Sequence, residues 1–129
     1  MSGDVEHLDL DDLIAAAEVA VDGNPEVRDW GLLESALARP RASVFGADAY
    51  PDRNGKAAAL LHSIVTNHAL MDGNKCLGLV AVLLFYGMNG CDVRATEDER
   101  VELVIAIADG RLSEVEVIAE HLARWVVAD

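Results

Sequence analysis

From Cys76 to Asn89 the chain carries no Asp, Glu, Lys or Arg, although charged residues are frequent on both sides of this stretch. A helix that is apolar all round belongs in the interior of a bundle. At about 1.5 Å per residue it is about two-thirds of a membrane-spanning length, so a core helix is predicted and a transmembrane one is not. The segment Cys76 to Met88 is accordingly expected to be the most buried in the fold.

The flanking pattern predicts further helices. Leu8 to Val21 reads as one, with Asp9, Asp11 and Asp12 in a first turn where the helix dipole favours negative charge, and Asp22-Gly23-Asn24-Pro25 as its stop. Arg28 to Arg39 reads as a second, closed by Pro40. Gly55 to His68 is a third, with Ala57, Leu60, Leu61, Ile64 and Val65 on one stripe. Thr96 with Glu99 and Ser113 with Glu116 match capping boxes, starting helices that run to about Ala108 and about Val127. Between the second and third helices, Arg41 to Asn54 breaks the pattern: Gly46, Tyr50 and Pro51 indicate an irregular or hairpin-like loop, with Phe45 and Tyr50 expected as its small-core anchors. Trp30 and Trp125 are expected to be packing residues. The prediction is a compact all-α bundle forming one domain over residues 1–129, without repeats or linkers.

A net charge of −13 over 129 residues argues against a nucleic-acid or anionic-membrane surface, which would need a basic face. A nucleotide is still permitted, because a local nest of N–H groups matters more to it than global charge. The acidity suits a basic protein partner. Cys76 and Cys91 have no metal spacing and no secretory leader precedes them, so they read as reduced thiols of a cytoplasmic protein. His7 and His121 have no Cys or Glu at zinc spacing, and His62 lies six residues before His68, not on one helix face with it.

The candidate chemistry lies at the entrance to the apolar helix. Asp72-Gly73-Asn74 is a turn signal, and a turn leading into a helix leaves several backbone N–H groups pointing outward as an anion site. Lys75 follows in the first helical turn, where the dipole disfavours a cation unless something anionic accompanies it. His68 and Asp72 add a titratable base and a carboxylate. A plain connection accounts for the same residues: Asp72 or Asn74 as cap, with Lys75 paired to Asp72.

The order His68-Ala-Leu-Met-Asp72-Gly73-Asn74-Lys75 resembles the signature of the Fic/Doc superfamily, and specifically its Doc (death-on-curing) branch. That signature reads His-x-Phe-x-Asp-Gly/Ala-Asn-Lys-Arg, with Lys after Asn marking Doc where Fic proteins usually have Gly. Arg28-Asp-Trp-Gly-Leu-Leu-Glu-Ser-Ala-Leu-Ala-Arg-Pro40 is similar to the family's upstream helix, Lys56-Ala-Ala-Ala-Leu-Leu-His-Ser-Ile64 to the helix leading into the motif, and Asn89-Gly90 to the end of the central one. Three positions depart from it: Leu70 stands for the aromatic, Cys76 for the Arg, and Leu77 for the small polar residue after it.

The resemblance implies a Fic/Doc-like helical bundle with His68 as general base on a target hydroxyl, Asp72 holding Mg²⁺ at the nucleotide, and Gly73, Asn74 and Lys75 cradling phosphates, with Cys76 at the remaining phosphate-binding position. The loop at Ser43–Gly46 and Ala49–Pro51 corresponds to the family's flap, which holds target peptides beside the site. For the Doc branch the implied activity is phosphoryl transfer from ATP to a threonine of elongation factor Tu; for the Fic branch it is AMP transfer. A Phd-like antitoxin is the implied partner, with an exposed apolar groove near the motif as its trace. Cys76 in place of Arg removes a planar five-donor cation, so weakened activity, or a non-catalytic nucleotide- or antitoxin-binding protein, is the competing expectation. One of Arg39, Arg53, Arg94 and Arg100, otherwise surface residues, is a candidate to replace the missing charge.

Overall fold

The computed structural model describes residues 5–127; Met1–Asp4, Ala128 and Asp129, which the expected single domain also spans, lie outside the described residues. Six helices dominate: α1 (Leu10–Val21), α2 (Trp30–Ala38), α3 (Arg53–Asn67), α4 (Asn74–Met88), α5 (Glu97–Ala108) and α6 (Val115–Trp125). A short 3-10 turn, Arg39–Arg41, follows α2. Two antiparallel strand pairs complete the chain: β1 (Ser43–Val44) with β2 (Ala47–Asp48), and β3 (Asp92–Val93) with β4 (Val126–Val127).

Side-chain caps explain most of the helix starts. Asp9 accepts from Asp12 N and Asp12 from Asp9 N, a reciprocal box that starts α1 after Leu8, which instead packs into the core. Asp29 and Asp52 cap α2 and α3, and Thr96 with Glu99 forms the expected box on α5. The expected Ser113 box on α6 is absent. After α5 the chain folds back, with Leu112 N donating to Ala106 O, and the first helical residue is Val115, one position too late for Ser113 to cap. At its other end α6 stops at Trp125; Val126 and Val127 leave it to pair with β3, a second small sheet the helical pattern did not indicate.

The most buried helix is α3 and not α4, which carries the uncharged stretch from Cys76. Leu77, Gly78, Ala81, Val82, Phe85 and Tyr86 of α4 are buried, but Leu79, Val80, Leu83 and Leu84 are only half-buried and Cys76 is exposed. By contrast α3 packs against α2, α4, α5 and α6 and buries residues on every side, including Lys56 and Ser63. Absence of charge reported which helix is apolar; the number of neighbours decides which is enclosed. Gly78 lets the pair approach closely: a Cβ there would lie 2.8 Å from Val65 Cγ2. At the opposite end Tyr86 Oη donates to Asn54 Oδ1 at 2.7 Å, and burial pushes its phenol well above the usual range.

Candidate active site

The connection between α3 and α4 is tied by a backbone ladder to the segment ahead of α2. His68 ends α3 in the left-handed conformation, at φ 56°. Beyond it, Arg28 N and Asp29 N both donate to Ala69 O (2.7 and 3.1 Å), Met71 N donates to Glu26 O (2.9 Å), and Val27 and Leu70 form an antiparallel bridge. The Arg28 guanidinium adds a fork, with Nε and Nη2 donating to His68 O at 3.0 and 2.6 Å. Leu70, at the family's aromatic position, is fully buried, so the smaller side chain still anchors the loop.

Asn74 and Gly73 complete the turn. The Asn74 side chain accepts from Leu70 N through Oδ1 and donates to Leu70 O through Nδ2, both at 3.0 Å. Gly73 takes φ 92°, and a Cβ there would lie 2.8 Å from Val21 Cγ1, so both backbone and space demand glycine. Gly73 is the N-cap of α4 and supplies no side-chain acceptor. Asn74 is turned back on Leu70 and, among the described residues, Lys75 makes no ion pair with Asp72. The plain-connection reading expected Asp72 or Asn74 as a side-chain cap together with a Lys75–Asp72 pair, and neither is present among the described residues.

What results is a helix N-terminus whose first N–H groups lack a side-chain cap, flanked by exposed His68, Asp72, Lys75 and Cys76. Outward N–H groups with the positive end of a helix dipole behind them suit one phosphate group. An exposed ammonium beside them adds charge, and a single carboxylate is what a magnesium ion shared with nucleotide phosphates ordinarily takes from a protein. The residues present therefore fit a magnesium–nucleotide. Asn74 departs from expectation in that its side chain holds the loop, leaving its backbone for a ligand.

Other expected residues lie elsewhere. The β1–β2 hairpin is rooted on Lys56 of α3, whose buried ammonium donates to Asp48 Oδ2 at 3.1 Å and to Tyr50 O. Lys56 stands twelve residues before His68, about 18 Å along a helix. Tyr50 is an anchor as expected, its hydroxyl accepting from Arg39 Nε at 3.1 Å. Phe45 is not: it is fully exposed at the tip, where a two-residue turn places it and Gly46 at positive φ. Trp30 is also more than half exposed, whereas Trp125 is buried. Of the four arginines considered, Arg39 is no surface residue, since its Nη1 bonds His62 Nδ1 (2.8 Å) and donates to Ser63 Oγ (3.0 Å). Burial and this guanidinium hold the His62 imidazole below its ordinary pKa. Arg53 Nη1 donates to Asn89 O, and Arg94 faces Asp92. The arginine at the motif is Arg28, bound to His68 O, and helical periodicity could not single it out because its role is tertiary.

Two of the cavities among the described residues adjoin the hairpin root and the motif loop. One of about 680 Å³ lies between the hairpin root, the start of α3 and α6, and includes Arg39, Tyr50, Asp52, Glu116 and Glu120. A smaller one, about 270 Å³, runs between α1 and α2 and is lined by Ile14, Ala17, Val27, Trp30, Leu33 and Leu70, immediately beside the motif loop. No helix among the described residues is long and apolar enough to cross a membrane.

Known proteins resemble this chain in sequence over the same residues. Residues 7–86, which run from ahead of α1 to near the end of α4 and so contain the whole loop, match the sequence profile of the Fic/DOC family. Toxin Doc of Mycolicibacterium smegmatis is 43% identical over 124 residues, covering 95% of each chain. With the family profile over residues 7–86 and 43% identity across 95% of the chain in agreement, the chain belongs to the Fic/Doc family.

Proposed function

We propose that the protein is the toxin of a toxin–antitoxin pair and transfers the terminal phosphoryl group of ATP to a hydroxyl of a translation factor, with elongation factor Tu as the family's target. The observation that carries this reading is the uncapped N-terminus of α4 beside exposed His68, Asp72 and Lys75. A hydroxyl is a poor nucleophile at neutral pH until a base takes its proton, and His68 is the base at the motif. The α4 N–H groups and Lys75 hold the charge on the phosphoryl oxygens, which is where most of the catalysis of phosphoryl transfer resides. Bound magnesium–ATP supplies the transferred group and part of the charge neutralisation, with Asp72 holding the cation.

The apolar groove beside Leu70 supports an antitoxin partner. Ile14, Val27, Trp30 and Leu33 form a concave face suited to the apolar side of a helix. The relative's printed name, Toxin Doc, points the same way.

Incubation with elongation factor Tu and ATP labelled at the γ or the α phosphate tests the assignment. Transfer of the γ label supports it. Transfer of the α label makes the protein an AMP transferase of Fic type. Retained ATP binding with neither transfer makes it a degenerate binding protein. His68→Ala is expected to lose transfer and keep nucleotide binding.

A further inference from the structure

The geometry points to Arg28 as the residue that positions His68 for catalysis, an assignment that rests on His68 being the base. Arg28 makes two hydrogen bonds to a single backbone oxygen, His68 O, through Nε and Nη2. Among the described residues it has no carboxylate partner, so its charge is directed at a carbonyl and not at an acid. That carbonyl belongs to a residue at φ 56°. Left-handed backbone is strained for an L-residue with a side chain and persists only where surroundings over-determine it.

The alternative available to His68 is to extend α3 by one residue in right-handed conformation. Its Cβ would then point along the helix surface, and the imidazole would leave the phosphate site. Two features oppose that change. One is the backbone ladder from Glu26–Asp29 to Ala69–Met71, which begins only after His68. The other is the Arg28 fork, the only contact described for the polar atoms of His68 itself. A cation there also offsets the negative end of the α3 dipole. Arg28 thus aims the base through its main chain while leaving both ring nitrogens to the substrate.

Substitution of Arg28 leaves the ladder in place, because the 2.7 Å bond from Arg28 N to Ala69 O is main chain. Arg28→Ala and Arg28→Lys are therefore expected to fold, with Lys restoring one of the two bonds. The HN–Hα coupling of His68, measured by NMR, should move from its left-handed value toward the helical one in Arg28→Ala and less in Arg28→Lys. With magnesium–ATP and elongation factor Tu, kcat should fall at least tenfold in Arg28→Ala while KM for ATP stays within about twofold, and Arg28→Lys should recover part of the loss.

Cys76→Arg separates positioning from direct phosphate binding. If Arg28 positions His68, introducing Cys76→Arg into both the native and the Arg28→Ala chains leaves the ratio of their kcat values unchanged. A larger gain from Cys76→Arg in the Arg28→Ala chain than in the native one, so that the ratio closes, would make Arg28 a phosphate ligand and overturn the assignment. An unchanged His68 coupling in Arg28→Ala would overturn it as well. If no chain transfers either label, the proposed activity fails, while the coupling still decides whether Arg28 controls His68.

Discussion

Asn74 holds both backbone polar groups of Leu70, accepting from its N and donating to its O at 3.0 Å each. One side-chain amide thereby closes the five-residue turn from Leu70 to Asn74, and only a group with a donor and an acceptor side by side can do so. Asn74→Ala leaves the N–H and C=O of a buried residue without these partners, a loss of about 1–3 kcal/mol. Asn74→Asp keeps the acceptor and loses the donor, so its stability should fall between those of the native chain and Asn74→Ala. Urea unfolding gives the global cost, and amide exchange at Leu70 locates it in the loop.

At Gly73 two penalties are separable. Gly73→Ala forces a side chain to φ 92°, about 1–3 kcal/mol of strain, and places its Cβ against Val21 Cγ1. Val21→Ala in the same chain removes the contact but not the strain. The double variant should therefore recover part, and not all, of the lost stability, as read from urea midpoints. Full recovery would mean that the left-handed conformation costs nothing here.

Periodicity and capping chemistry made the helices legible, and the local turn signal made the candidate site legible. Thr96–Glu99 and the α3 stripe were readable because both depend on neighbours in sequence. Ser113–Glu116 had the right letters, but the fold-back of Leu112 onto Ala106 moved the helix start past it. Tertiary partners were the hidden part. Nothing within the sequence around Arg28 announces that it reaches His68, forty residues on, or that Lys56 is buried with Asp48 and Tyr50. The enclosure of α3 over α4 was likewise a matter of how many helices surround each.

Stability should fall on mild acidification, and His62 supplies part of the reason. Its pKa is lowered in the folded protein by burial first and by Arg39 second. The unfolded chain therefore binds the proton more readily. The His62 contribution is fully present above the unfolded value, near 6.5, and is lost as pH falls through the lower folded one. His7 shifts in the same direction, by burial and the charges of Arg41 and Lys56. Urea midpoints should drop between about pH 7 and pH 5, and His62→Gln, which keeps an acceptor for Arg39, should make that slope shallower. An identical slope in the variant would remove His62 from the account.

Lys56 gives a test of how the hairpin is held. The residue is 3% exposed, yet its ammonium binds Asp48 Oδ2 and Tyr50 O. Lys56→Met keeps much of the buried stem and removes both bonds, so the core should lose less than in Lys56→Ala, where a cavity adds to the cost, by about 2 kcal/mol or more. In both variants amide exchange and proteolysis should rise selectively between Ser43 and Tyr50. Unchanged protection in that segment would show that the 3-10 turn alone fixes the hairpin.

The last prediction concerns Cys76, the motif position that departs most from the family. It is exposed in the first turn of α4, beside Lys75 and two residues after the uncapped Asn74, so a longer side chain has room. A guanidinium there can add charge-assisted bonds to phosphate oxygens of about 1.5–3 kcal/mol each. Realised in the transition state alone, one such bond is worth roughly ten- to a hundredfold in rate. The thiol offers only a weak donor, and as a thiolate it would repel the phosphate. Weak phosphoryl transfer is therefore expected from the native chain and a gain of that order from Cys76→Arg, with both proteins assayed on γ-labelled ATP under one set of conditions. Full activity of the native chain with no gain from Arg would mean that Lys75 and the α4 N–H groups alone neutralise the transferred group, and that the guanidinium of the family motif is dispensable on this scaffold.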